Sequence, residues 1–149
     1  MAVVREQLGA ALAEAARAWR ARLDERLRPL GLSQARWIIL LQLSRHGDGV
    51  AQKTLAERVG IEGPTLVRLL DRMTEDGWLE RRESEADRRC KTVHMTDKAR
   101  DVIEEIRKVA TALRTELLAG TKPEELETML RILQQIKEKA DRLHGGGEN

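Results

Sequence analysis

Arg81, Arg82, Arg88, Arg89 and Lys91 crowd into the stretch ERRESEADRRCKTVHMT, residues 80–96. Five cations on so short a segment can meet a phosphate backbone, or send a guanidinium into the minor groove where the negative potential is focused. The plainer alternative is a solvated turn kept soluble by its charge. Asp87 is out of place on a DNA-facing surface unless its carboxylate braces Arg89 across the turn by a charge-assisted hydrogen bond, which is the expectation here. Cys90, flanked by Arg89 and Lys91, has the surroundings that favour a thiolate, so an oxidation sensor is one alternative. Paired with His94 it would resemble a thiol-imidazole couple, but four residues along a strand separate the two by ~13 Å.

A second group of polar residues lies upstream. Thr65, Arg68 and Arg72 share the face of a helix whose other side carries Leu66, Leu69, Leu70 and Met73. A guanidinium at Arg68 can meet guanine O6 and N7 in the major groove, or pair with Asp71 or Glu75 on its own helix. Thr65 near that helix's start and Thr54 near the start of the preceding helix suit phosphate contacts. Arg17 and Arg20 lie three apart on the first helix, and Trp37 is the largest apolar side chain near the junction that follows. Two cations and an indole would suit a small aromatic carboxylate; alternatively Trp37 is ordinary core and the arginines pair with Asp24 or Glu14.

Catalysis finds no constellation. His46, His94 and His144 sit in unrelated contexts without metal-binding spacing, and one cysteine excludes an internal disulfide and a cysteine-cluster zinc site. The expectation is no enzyme, no metal and no resident cofactor.

The elements that must position these groups read mainly as helices. Apolar residues at steps of three and four from Val4 to Leu30 mark one long helix ended by Pro29 and Gly31. Ser33 is an N-cap for a second helix through about Ser44, apolar on all sides at Trp37, Ile38, Leu40 and Leu41. His46 to Val50 reads as a loop. Leu55, Ala56 and Val59 form a short helix, Gly60 supplies a left-handed turn, and Pro64 opens the next helix, which stops at Gly77. Trp78 and Leu79 start a strand, Ser84 to Arg89 form a hairpin tip, and Thr92 to Met95 return. Helix-turn-helix followed by a hairpin is a winged helix.

The helical period resumes from Thr96 at Ala99, Val102, Ile103, Ile106, Ala110, Leu113 and Leu117. A last helix opens at Thr121 with Glu124 as its capping-box partner and carries Leu126, Met129, Leu130, Leu133, Ile136, Ala140 and Leu143. The final HGGGEN reads as a frayed end. These terminal stripes exceed what a small winged helix can cover, so residues 1–32 and 97–149 are read as a dimerisation region of a homodimer, around a DNA-binding domain at 33–96. The fold class is mainly α with a small β-hairpin wing.

Bulk properties agree with this. The chain has 149 residues, 41% hydrophobic and 35% charged, with three Trp and no Phe or Tyr, so it lacks the exposed aromatics of single-strand or RNA-binding modules. The net charge is +2; ten acids against eight bases from Asp101 onward give −2 there and +4 in residues 1–100. No apolar run approaches the roughly 18 residues of a membrane span, and the start MAVVREQLG lacks a signal peptide, so a cytoplasmic protein associated with the nucleoid is expected.

RAWRARLDERLRPLGLSQARW, LAERVGIEGPTLVRLLDRM and DRRCKTVHMT together resemble the MarR family of bacterial transcriptional regulators, and within it the SlyA-type subgroup. In the last motif Asp87, Arg89 and Met95-Thr96 match the family's Asp-x-Arg and Leu-Thr pattern, with Met for Leu. The resemblance implies an obligate homodimer binding pseudo-palindromic promoter duplexes, Arg68 reading the major groove and Arg89 the minor groove. It also implies that Arg17, Arg20 and Trp37 occupy positions where SlyA-like proteins hold salicylate-type ligands; at Leu41, within that set, some relatives have a polar histidine and this chain departs from them. The peroxide-sensing branch keeps its reactive cysteine in the first helix, where this chain has none. A runner-up is a nucleoid-associated, anti-silencing DNA binder without ligand control.

Overall fold

The first helix, α1, spans Ala2–Leu27 in the computed structural model, which describes residues 1–145. It ends earlier than its apolar period suggests: Arg28–Leu30 tighten into a 3-10 turn around Pro29, whose missing N–H cannot continue the α-helical ladder, and Gly31 at φ 73° turns the chain away. Helix α2 covers Gln34–His46 and starts at Ser33, which has the extended backbone of an N-cap but no capping bond from its side chain. Its residues Trp37, Ile39, Leu40, Leu41 and Leu43 are all buried.

Helices α3 (Gln52–Val59) and α4 (Gly63–Glu75) form the helix-turn-helix. Gly60 adopts φ 68° and its N–H donates to the Ala56 carbonyl at 3.0 Å, closing α3 with a left-handed residue that a side chain would disfavour. Pro64 sits in the first turn of α4, where its absent N–H leaves no bond unmade. Leu66, Leu70 and Met73 face the core.

The sheet has three strands in the order β1-β3-β2, all antiparallel: β1 is Val50–Ala51, β2 Leu79–Glu83 and β3 Lys91–Met95. Strands β2 and β3 are the expected hairpin, in register from Leu79 with Met95 to Glu83 with Lys91. Strand β1 corrects the reading of His46 to Val50 as a loop, because His46 belongs to α2 and Val50 pairs with Val93. Two residues are too few to show strand alternation in a sequence.

Helix α5, Asp97–Leu117, buries Ala99, Ile103, Ile106 and Leu113, and the Thr96 hydroxyl accepts from the Ala99 N–H at its start. The chain divides into two compact units, Met1–Leu113 and Arg114–Asn149. In the second, α6 spans Pro123–Gly145. Its capping carboxylate is Glu125, which accepts from the Lys122 N–H at 2.9 Å, so the box sits one residue later than the Thr121 and Glu124 pair expected from sequence. The last four residues of the expected frayed end, 146–149, lie outside the described residues. Among the described residues no helix is long and apolar enough to cross a membrane.

In the first unit, Leu27, Ile39, Leu40, Leu66, Leu70, Met73, Val93 and Ile106 all reach 0–1% exposure, which places the core around α2. Leu40→Ala should therefore leave a cavity at the centre and cost ~2–5 kcal/mol, read as a lower denaturant midpoint with unchanged slope. A loss below half a kcal/mol would contradict this placement of the core.

Candidate nucleic-acid interface

The outer face of α4 follows from its inner one. With Leu66, Leu70 and Met73 turned into the core, the 3.6-residue period turns Thr65, Arg68 and Arg72 outward, and all three are exposed. Arg68 forms no ion pair with any described residue. The acid expected to compete for it, Asp71, is held instead by Arg81 of β2, which ties α4 to the hairpin. Thr54, by contrast, is only half-exposed on α3.

At the hairpin tip Arg88, Arg89 and Lys91 are exposed. Asp87 does brace the turn, but by another bond than the expected one: its Oδ1 accepts from the main-chain N–H of Arg89 at 3.0 Å, and the Arg89 guanidinium forms no ion pair with any described residue. The Cys90 N–H donates to the Asp87 carbonyl at 3.0 Å, and the Ser84 N–H donates to the Cys90 carbonyl at 2.9 Å, so the carboxylate completes a closed turn. The side chain of Asp87 thus fixes the backbone from which Arg89 springs and leaves its charged end free. The Cys90 thiol is exposed, 3.8 Å from Asp87 Oδ2.

The strands carry their own charge pairs. Arg82 bonds Glu80 at 3.1 Å and holds its carboxyl below the usual carboxylate range, first through that hydrogen bond and then through its charge. His94, opposite Glu80 in the register, shares a 2.9 Å hydrogen bond with the Thr92 hydroxyl. Cys90 precedes β3 at the tip, so it and His94 do not occupy one strand as expected. Among the described residues no cluster of three His, Cys, Asp or Glu could hold a metal ion.

The four residues assigned to an effector are divided by burial. Trp37 is 3% exposed and Leu41 7%, both within the core, whereas Arg17 and Arg20 stand exposed on α1. The Trp37 indole N–H donates to Asp24 Oδ1 at 3.2 Å, so the indole's polar edge is satisfied by an acid of α1. Sequence reasoning missed a shallow cleft of about 310 Å³ between α2 and α5, lined by Ser44, Asp48, Met95, Arg100 and Arg107 among others. The only signal for it was the seven-residue spacing of Arg100 and Arg107, which puts both on one face of α5.

Comparison with known proteins converges on one family. A family model described as MarR family matches residues 30–89, from the end of the 3-10 turn to the hairpin tip. The transcriptional regulator PA3341, known from its crystal structure, is 43% identical, with a TM-score of 0.85 over 90% of this chain and 98% of its own. The transcriptional repressor CouR, bound to a 23-mer DNA duplex, is 28% identical, with a TM-score of 0.77 over 90% of this chain and 94% of its own. A MarR transcriptional regulator from Methanosarcina mazei Go1 shares the fold at a TM-score of 0.81 and 22% identity, over 93% of this chain and 99% of its own.

The brace at the hairpin tip separates two variants that charge counting treats alike. Asp87→Ala removes the acceptor for the Arg89 N–H and should weaken duplex binding severalfold even though it deletes a negative charge. Asp87→Asn keeps an acceptor oxygen and should bind at least as well as the parent chain. Titrations in which both variants bind more tightly would reject the brace.

Proposed function

The chain belongs to the MarR family of transcriptional regulators, which are not enzymes, and on that premise we propose that it is a homodimer of the SlyA-type subgroup that recognises pseudo-palindromic promoter DNA and is released by small aromatic carboxylates. The observation that carries the DNA reading is the outward face of α4, where Arg68 is exposed and free of carboxylate partners among the described residues while the neighbouring acid is held by Arg81. An unpaired guanidinium on a helix of this kind is available for the two acceptors of guanine. CouR, bound to a DNA duplex, supports the same partner.

In this reading residues 33–96 form the DNA-binding domain, and residues 1–32 and 97–149 join two copies. Two-fold symmetry then sets the paired α4 helices roughly 34 Å apart in successive major grooves, with Arg88, Arg89 and Lys91 reaching the flanking minor grooves and phosphates. Thr65, Thr54 and Arg72 supply further backbone contacts that fix register without reading sequence. Such a protein works in the cytoplasm at the nucleoid. The motif around Asp87 to Thr96 and the positions of Arg17, Arg20 and Trp37 support the SlyA-type assignment, while Leu41 departs from it. A carboxylate on Arg17 and Arg20 would shift the dimer away from DNA only by preferring a lobe spacing that the operator does not fit.

The apolar side chains left uncovered support the dimer. Leu8 is 52% exposed on α1, and Leu130 is 58% exposed on α6. Sedimentation at micromolar concentration should show a dimer for the parent chain and dissociation for Leu8→Glu and Leu130→Glu; a monomeric parent would reject the assembly. Salicylate should weaken operator binding by that dimer but not by its Arg17→Ala variant, and equal inhibition of both would move the effector elsewhere.

The two arginines answer to different measurements. Arg68→Ala should cost ~1–3 kcal/mol per half-site and relax base preference inside the palindrome. Arg89→Ala should weaken binding most where the flanks are A·T-rich and should lower the salt slope. Interchanged or identical profiles for the two variants would overturn the assignment of grooves.

A further inference from the structure

Strand β3 is the central strand of the sheet, and on one edge only its residues Thr92 and Val93 are paired, by the two residues of β1, Ala51 and Val50. The ladder nevertheless continues past β1. The Gly49 N–H donates to the Val93 carbonyl at 2.9 Å, and beyond it the Met95 N–H donates to Oδ1 of Asp48 at 2.8 Å. At this point a side-chain carboxylate takes the place of a strand carbonyl. The substitution is built by the glycines on either side: Gly47 at φ 88° and Gly49 at φ 80° swing the main chain out of line and turn the Asp48 side chain toward β3. Gly49 is further constrained because a Cβ there would stand 3.2 Å from the His94 ring.

The second oxygen of the same carboxylate is also engaged. Asp48 Oδ2 accepts from Arg100 Nη2 at 3.0 Å, and Arg100 Nη1 is held by Asp97 at 2.9 Å on the first turn of α5. One side chain therefore joins the α2–β1 loop, the base of the hairpin and α5. The opposite edge of that base has its own fastening, because the Thr96 hydroxyl donates to the Gly77 carbonyl at 2.6 Å and Lys98 Nζ to the Asp76 carbonyl at 2.8 Å.

We infer that Asp48 is a positioning residue for the wing, a clasp to Met95 and Arg100 that sets the direction in which the hairpin projects from α5 and so the reach of Arg89. The inference rests on the reading of Arg89 as a minor-groove contact. Its magnitude follows from the lever. Five strand residues extend roughly 17 Å at ~3.3 Å each, so a pivot of about 10° at the base displaces the tip by about 3 Å, as much as a whole hydrogen bond. With the Thr96 edge held and the Asp48 edge released, such a pivot has a fixed side and a free side. The ion pair to Arg100 is half-exposed and adds little stability. What it supplies is direction, because it orients the carboxylate whose other oxygen meets Met95.

The test uses the full chain, with Asp48→Ala, Asp48→Asn and Arg100→Gln, titrated against one palindrome carrying either A·T-rich or G·C-rich flanks, and with amide exchange followed at Met95 and residues 84–90. Asp48→Ala should bring the ratio of affinities for the two flanks toward one, by about fivefold to tenfold, and speed exchange in the hairpin, while base preference inside the palindrome is kept. Asp48→Asn retains an acceptor for Met95 and should recover most of the flank ratio and the protection, and Arg100→Gln should match it. An unchanged ratio and unchanged exchange in Asp48→Ala would overturn the clasp. So would a uniform fall in affinity on every duplex, the mark of general structural loss, or an Asp48→Asn variant as impaired as Asp48→Ala. If the parent chain shows no flank preference, the minor-groove reading of Arg89 fails by itself. Amide exchange alone then decides the clasp, faster exchange in Asp48→Ala upholding it and parental exchange rejecting it.

Discussion

The first compact unit depends on burying α2. A helix with Trp37, Ile39, Leu40, Leu41 and Leu43 all under 8% exposure has hardly any solvent face and must be covered from several directions. Helices α3 and α4 and strand β3 all pack on it. That requirement settles the orientation of α4, because Leu66, Leu70 and Met73 must point at α2, and the turn at Gly60 delivers α4 to that position. The outward direction of Arg68 is then a consequence of core packing and needs no separate device. The polar face of α4 is the remainder left by the hydrophobic effect on the other side.

Acids decide which cations remain available. Asp71 engages Arg81, Glu80 engages Arg82, Asp76 engages Arg36 at 2.6 Å and Asp48 engages Arg100. These pairs are partly or wholly exposed and contribute little to stability one by one. Their effect is geometric: they attach α4 to β2, α2 to the end of α4, and the loop after α2 to α5. Asp87 and Asp48 go further, since each carboxylate accepts from a main-chain N–H and so shapes backbone rather than neutralising charge. An acid within a basic hairpin is thus no paradox: it places the cation beside it.

Helix order, the helix-turn-helix and the hairpin were legible because each rests on local signals: the apolar period, Gly60, Pro64 and the alternation from Thr92 to Met95. The third strand was not, since two residues carry no period, and its existence depends on a partner 43 residues away in the register Val50 with Val93. The brace by Asp87 was legible as a brace but not as to which N–H it meets, because a carboxylate two residues from an arginine can reach either its main chain or its guanidinium. The Asp48 clasp was invisible for the same reason as β1: a contact across 47 positions leaves no spacing to read. The capping box slipped by one residue because Thr121 and Lys122 both precede Pro123, and only the backbone shows that the helix counts from Lys122.

The terminal helices pose a problem that neither unit answers within itself. On α6, Met129, Leu130, Ile132 and Ile136 are 38–58% exposed, and none of residues 123–144 is fully buried. On α1, Val3, Val4, Leu8 and Leu12 are 40–64% exposed, and the helix is anchored chiefly through Leu23 and Leu27 near its end. Helices without a packed face are marginal in water, because nucleation costs more than backbone hydrogen bonds return over a few turns. If two copies meet through these stripes, as proposed, the interface provides the packing that makes the helices persist, and folding becomes linked to association. Wing geometry and lobe spacing would then share α5, which begins beside the Asp48 clasp and runs to Leu117. A change in how the copies meet could therefore reach the hairpin through a continuous helix, without any ligand touching the wing.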